Sequence, residues 1–425
     1  MKNKIGYLAE LLKNLHKKGL SDIFLSSVFS EFIAFIVSIV IVRQFSKEDY
    51  GYYAVAYNIY GYIAVFIGLG LTNGVLQYCS EKRVETEKSA IYSFCLKAGE
   101  IFNIVLLFFI PIFSRFLLGI PARNYLIWMS GWPLVAFVGN YMQIKLRVAR
   151  DNRHFMLSNV SSSVVFLILA FVLSKSYGIE GYIVALYGKH ALTGVISYTF
   201  SKQKETVNSG NIAPINIKLK KEILKYSIVC CLTNFTSTLM MLLDVTCINH
   251  FIGDPAIVAT YKVATQIPTA LTFIPSSIMV FIFPYFVEHN DNPHWLQKNT
   301  NKLLAGVFGL NVCVSIAIII LAPFIVAVLW GNKYRDAVLV LRMLVFNYLI
   351  SGTFNMVLGN VMVAIKKVNI NLIRTIFCSA LNIILNCVLI KRYGSVGAAY
   401  ATITVSIVSA VFAISYFKYW IKKKL

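Results

Sequence analysis

Eight ionisable side chains sit inside long apolar runs. Lys97, Lys189, Lys262, Arg342 and Arg374 are the cations; Glu31, Glu100 and Asp244 are the acids. A charge at mid-bilayer costs about 2.5–3.5 kcal/mol on insertion scales, so such groups need partners or a wet cavity. Two readings stay open. One is structural: Lys97 pairs with Glu100 three residues on, Asp244 pairs with Lys262, and Arg342 and Arg374 snorkel from near the span ends. The other is a cavity whose cations exceed its acids by two, which suits an anionic group such as a diphosphate. In that cavity Asp244, Glu31 or Glu100 is a candidate to exchange a proton or bind Na⁺ as the protein changes state; no other cofactor and no metal is expected. His190 reads as a packed or loop-facing histidine.

Composition says why these runs are membrane spans. Hydrophobic residues make up 58% of the 425 and charged residues 14%, against about 25% charged in a soluble domain. With about 20 residues per crossing, the length allows about a dozen spans and little else. A net charge of +22 would suggest nucleic acid in a soluble protein. Here it reads as cations retained on the cytoplasmic side, so no nucleic-acid partner is expected. The eight cysteines form no CxxC and lie mostly in apolar runs, so they read as small packing residues. No cleavable signal is evident.

The spans must position the charges. Residues 1–20 form a basic leader in which Ile5, Leu8, Leu11, Leu12 and Leu15 share a helical face, an interfacial helix by pattern. Six spans follow in 21–200, at about 21–42, 50–71, 89–113, 125–144, 155–173 and 182–200. Residues 201–221, SKQKETVNSGNIAPINIKLKK, are the longest polar connection and read as a cytoplasmic linker. Six more spans fill 222–421, at about 222–248, 256–287, 303–330, 337–364, 370–390 and 396–419, and 422–425 is a basic tail. Polar stripes mark buried faces: Ser27, Ser30, Glu31, Ala34 and Ser38 in the first span; Ser227, Asn234, Ser237, Thr238, Met241 and Asp244 in the seventh; Asn371, Arg374, Ser379, Asn382 and Asn386 in the eleventh. Pro268, Pro275 and Pro284 predict bends in the eighth. Tyr53-Ala54-Val55-Ala56 aligns without a gap on Tyr261-Lys262-Val263-Ala264, an offset near half the chain, which argues for two like halves.

On that layout the side bearing the termini receives 26 of the 40 Lys and Arg, and the opposite loops receive 9. The asymmetry places both termini in the cytoplasm. The outer loops are too short to form a domain. There is no GxxxxGK[ST], HExxH or GxSxG, which argues against an ATP-driven pump or an extracytoplasmic enzyme.

Val42-Arg43-Gln44-Phe45, Glu48-Asp49-Tyr50-Gly51-Tyr52-Tyr53 and Gly68-Leu69-Gly70-Leu71, followed by Asp244, Gly253, Tyr261, Ala264 and Pro284, carry a family likeness. The chain resembles the Wzx-type flippases of O-antigen and capsule polysaccharide. Their superfamily also holds multidrug/toxin extruders and lipid II flippases. The resemblance implies an all-α polytopic membrane protein: twelve transmembrane helices in two six-helix halves, a MATE-like 6+6 bundle around a central cavity working by alternating access. It implies an undecaprenyl-diphosphate-linked oligosaccharide as substrate, moved across the bacterial cytoplasmic (inner) membrane. Lipopolysaccharide or capsule biosynthesis is the implied setting, with membrane lipids, a polysaccharide polymerase and a chain-length regulator as partners. The five cations are eligible by depth to meet the anionic head group. A cation-coupled multidrug-type antiporter predicts a net acidic cavity, and a glycan polymerase or ligase predicts a large outer loop; the sequence shows neither.

Overall fold

The computed structural model describes residues 20–81, 83–204 and 215–425. The leader, and the linker over 205–214, lie outside the described residues. Those described are helical and contain no strand. Among the described residues, nine helical stretches are long and apolar enough to cross a membrane, and the chain is a polytopic helical membrane protein.

In chain order the helices are α1 (Leu20–Gln44), α2 (Lys47–Ala64), α3 (Leu71–Ser80), α4 (Glu85–Leu117), α5 (Ile120–Trp128), α6 (Trp132–Val148), α7 (Asn152–Lys204) and α8 (Ile217–Ile252). Then come α9 (Pro255–Leu271), α10 (Phe273–Glu288), α11 (Pro293–Leu329), α12 (Ala337–Ile350), α13 (Met356–Ala364) and α14 (Val368–Lys424). Glycine breaks the two longest. The backbone of α7 turns at Gly178 (φ +66°), and that of α14 at Gly394 (φ +61°), where a left-handed residue carries no Cβ penalty.

Three expected spans are interrupted. The second divides into α2, a 3₁₀ turn at Ile67–Gly70 and α3. Gly68, Leu69 and Gly70 are all left-handed there, with φ of +56°, +52° and +69°. The fourth divides into α5 and α6 around Ser130 and Gly131, just before Pro133. In the proline-rich eighth span the helix is interrupted at Thr272, between α9 and α10.

The chain forms two compact units. Among the described residues, one covers 20–45 and 56–239, the other 46–55 and 240–425. In the first, Ser163 Oγ donates to Ser30 Oγ at 2.9 Å, and Ser158 and Ser197 hydroxyls lie 2.8 Å apart. Small hydroxyl residues let backbones approach closely and still satisfy one another. Phe137 of α6 wedges against the break after α2: a Cβ on Gly68 or Gly99 would fall 2.0 or 2.2 Å from its ring.

In the second unit, the first turns of α2 pack with α9 and α12. Ser46 caps α2, its Oγ accepting the Asp49 N–H at 3.0 Å and donating to Asp49 Oδ2 at 2.6 Å. Asp254 caps α9, with Pro255 at the first helical position. Lys47 pairs with Asp336, which also accepts from Thr260 Oγ1 at 2.9 Å. Gln266 donates to Tyr50 Oη and accepts from Trp330 Nε1, both at 3.2 Å. The π turn at Ser351–Asn355 after α12 is braced through Thr353, which accepts from Asn311 Nδ2 at 2.9 Å, while Tyr348 donates to Asn311 Oδ1 at 2.7 Å.

Gly51 lies so close to α9 that a Cβ would fall 1.9 Å from the Pro255 carbonyl oxygen. Alanine normally stabilises a helix interior over glycine by about 0.8–1.0 kcal/mol. Gly51→Ala therefore lowers the melting temperature of the detergent-solubilised protein. Gly306→Ala in α11, where a Cβ meets nothing within 4 Å, leaves it equal or higher. Equal melting for both variants would contradict the contact.

Candidate functional site

The five cations divide two and three between the units. Lys97 on α4 is exposed, and Lys189 on α7 is half-buried with Nζ 5.3 Å from the Phe166 ring centroid. In the second unit Lys262 on α9 is half-buried, Arg342 on α12 is exposed, and Arg374 on α14 is 9% exposed. Arg342 Nε donates to the Ile319 carbonyl at 3.0 Å. Arg374 Nη1 is buried with no hydrogen-bond partner among the described residues.

None of the five makes an ion pair among the described residues, where the pairs include Lys47–Asp336, Arg83 with Glu81 and Glu87, Lys88–Glu85 and His154–Asp151. Lys97 and Glu100 lie on one helix without pairing; Glu100 Oε1 is itself buried without a partner. Glu31 is exposed on α1. His190 packs beside Trp132, ring centroids 5.9 Å apart.

Asp244 is the acid the fold invests in. Its Oδ2 accepts from Tyr261 Oη at 2.7 Å and Thr402 Oγ1 at 2.6 Å, and its Oδ1 accepts from Asn386 Nδ2 at 2.8 Å. Asn386 Nδ2 also reaches Asn382 Oδ1 at 3.0 Å. These donors come from α9 and from both arms of α14, so one carboxylate ties three helices. Charge-assisted bonds of this kind are about twice as strong as neutral ones. The Asn386 carbonyl oxygen is buried without a partner. The two carboxylate oxygens and the Tyr261 and Thr402 hydroxyls form an oxygen-rich cluster in which both O–H groups donate to the carboxylate. Asn382 and Asn386 were visible as one face of the eleventh span. Thr402 carried no signal, because a lone threonine in an apolar run is unremarkable.

A cavity of about 530 Å³ opens in the first unit between the α2–α3 break, α6 and α8. It is lined by Thr72, Asn73, Asn140, Asn234, Ser237 and Thr238 among others, and by none of the five cations. The polar stripe of α8 thus serves both units: Asn234, Ser237 and Thr238 face this cavity, and Asp244 belongs to the second unit.

The model of the polysaccharide biosynthesis protein family matches residues 17–290. The chain belongs to that family. A capsular polysaccharide biosynthesis protein of Staphylococcus aureus is 24% identical over 412 residues, covering 94% of this chain and 98% of that one. Among solved structures, an inward-facing MATE-family multidrug transporter of the MOP superfamily superposes with TM-score 0.76 at 14% identity, covering 96% of this chain and 98% of its own. The lipid II flippase MurJ in an inward closed conformation gives TM-score 0.73 at 17% identity over 93% of this chain and 87% of its own. This family member therefore has the helical fold that those transporters share.

Removing the Asp244 carboxylate strands three donors, at about 1–3 kcal/mol for each buried group left unsatisfied. Asp244→Ala is expected to unfold several degrees lower than Asp244→Asn, which keeps acceptor capacity, in thermal melts of the purified protein. Equal melting of the two variants would show that the cluster does not hold the helices.

Proposed function

We propose that this chain is a transporter rather than an enzyme, and that it flips lipid-linked oligosaccharide repeat units across the bacterial cytoplasmic membrane by alternating access. The substrate is an undecaprenyl-diphosphate-linked glycan of O-antigen or capsule type. The observation that carries the reading is the set of membrane-depth cations without ion-pair acids. Fixed positive charge in a low-dielectric setting attracts a diphosphate and repels cationic drugs. The family, the capsule relative and the fold shared with MurJ point the same way.

Counting the α7 and α14 stretches as two crossings each and α5 with α6 as one gives twelve spans. That even number and the charge asymmetry support a layout with both termini in the cytoplasm. On this layout 21–200 and 222–421 are the two six-helix halves around the central cavity. Lys97, Lys189, Lys262, Arg342 and Arg374 meet the anionic head group. Asp244, with its oxygen cluster, is the first candidate to couple transport to Na⁺ or H⁺; Glu31 and Glu100 are the others. A polymerase and a chain-length regulator act on the exported unit.

Deleting the gene in its own host is expected to remove surface polysaccharide and to accumulate lipid-linked repeat units inside. Restoring Lys97→Ala with Lys262→Ala, at wild-type protein levels, recovers at most about a tenth of the export, as expected if each lost charge contact contributes about 1.5–3 kcal/mol. Full export by that double variant would end the cationic mechanism. In a parallel assay, the melting temperature of the wild type rises on replacing choline chloride with NaCl at equal ionic strength, and that of Asp244→Asn does not. A rise in both would remove Asp244 as the ion site.

A further inference from the structure

The cavity in the first unit carries no charge. Its polar lining is amide and hydroxyl: Thr72 and Asn73 from α3, Asn140 from α6, and Asn234, Ser237 and Thr238 from α8. The Asn73, Asn140 and Asn234 amides make no hydrogen bond to another described residue. A second hollow, of about 270 Å³, adjoins it and shares Asn73 and Asn234. That hollow adds Gln77, Thr233 and the exposed ring of Tyr226. Together they make a neutral polar groove along α3 and α8, within the size range of small-molecule sites, about 300–1,000 Å³.

The backbone is distorted to make it. A continuous helix after Ala64 would keep its own amide bonds. Instead three successive left-handed residues break it, and one of them is Leu69, for which that conformation costs about 1–2 kcal/mol. Asn103 Oδ1, fully buried, holds the break by accepting the Gly68 N–H at 2.8 Å. Cys231 Sγ approaches the Val65 carbonyl at 3.2 Å. The first turn of α3 receives no side-chain cap from Gly70. Irregular backbone at membrane depth is tolerated where it is buried or lines a cavity, and Gly70, Thr72 and Asn73 line this one.

We infer that this groove holds the neutral, hydroxyl-rich sugars of the substrate, separately from the cations that meet its diphosphate. Each amide both donates and accepts, as does each sugar hydroxyl, so Asn-rich walls match a glycan without the cost of burying charge. A cavity walled by Lys and Arg would hold the diphosphate and leave the hydroxyls poorly matched. The inference rests on the lipid-linked glycan reading.

The test uses the full chain in lipid nanodiscs. Its probes are the lipid-linked saccharide pooled from the deletion host and bare undecaprenyl diphosphate. The wild type is expected to bind the saccharide-bearing lipid about tenfold more tightly than the bare lipid. Asn73→Leu/Asn140→Leu/Asn234→Leu loses that gain and binds the bare lipid as the wild type does. The single Asn140→Leu variant, changed at an exposed position, reads the same loss if the triple variant fails to fold. The inference is overturned if the sugars add nothing to wild-type affinity, or if the variants keep the gain. Binding of neither probe by the wild type removes the lipid-linked reading itself, and the groove's assignment falls with it.

Discussion

Hydrocarbon offers no partner to a polar group, and that constraint decides most of this structure. Each break in a helix must be satisfied by protein or must line a wet space. At Gly68–Gly70 the fold does both: Asn103 takes one freed amide, and Gly70, Thr72 and Asn73 at the start of α3 line a cavity. At Ser351–Asn355 the π turn is braced by side chains, with Asn311 and Tyr348 linked around Thr353. At Gly178 and Gly394 the backbone turns through left-handed glycines between the arms of α7 and of α14.

The same constraint sorts the charges. Asp244 is given four polar neighbours from α9 and both arms of α14, which lowers the cost of keeping an anion inside the bundle. The five cations receive no acid at ion-pair distance, although Glu31 acts on Lys189 from further away. Lys189 leans on an aromatic face and Arg342 on a backbone carbonyl, while Arg374 Nη1 goes without. A fold able to surround one acid so fully could have supplied acids to the cations as well.

Much of this was readable in the chain. The apolar runs and the punctuation at 175–181 and 391–396 gave the spans, because a helix must stay apolar for the width of the bilayer. The eleventh-span stripe gave Asn382 and Asn386, because residues four apart share a face. The left-handed break was not readable. Gly68 and Gly70 in an apolar run signal close helix packing equally well, and Leu69 between them gives no hint of a positive φ. Nor was the neutral cavity: Asn73 and Asn140 stand alone in their spans, and only folding brings them to the face of Asn234, Ser237 and Thr238. Pattern along one helix reports which face is polar, and leaves open which other helices complete it.

That difference bears on how the two units are chemically divided. α8 runs through both, and its polar face changes character along its length, amides and hydroxyls in the first unit and a carboxylate in the second. A membrane carrier for a molecule with a charged waist and an uncharged, hydroxylated head faces two opposed demands. The charged part calls for fixed ions, whose strength grows as water is excluded. The sugars call for groups that donate and accept with little desolvation cost. Merging the two in one pocket would set lysines to compete with the amides for the same oxygens. The cavity at the broken helix avoids that competition, because none of the five cations lines it.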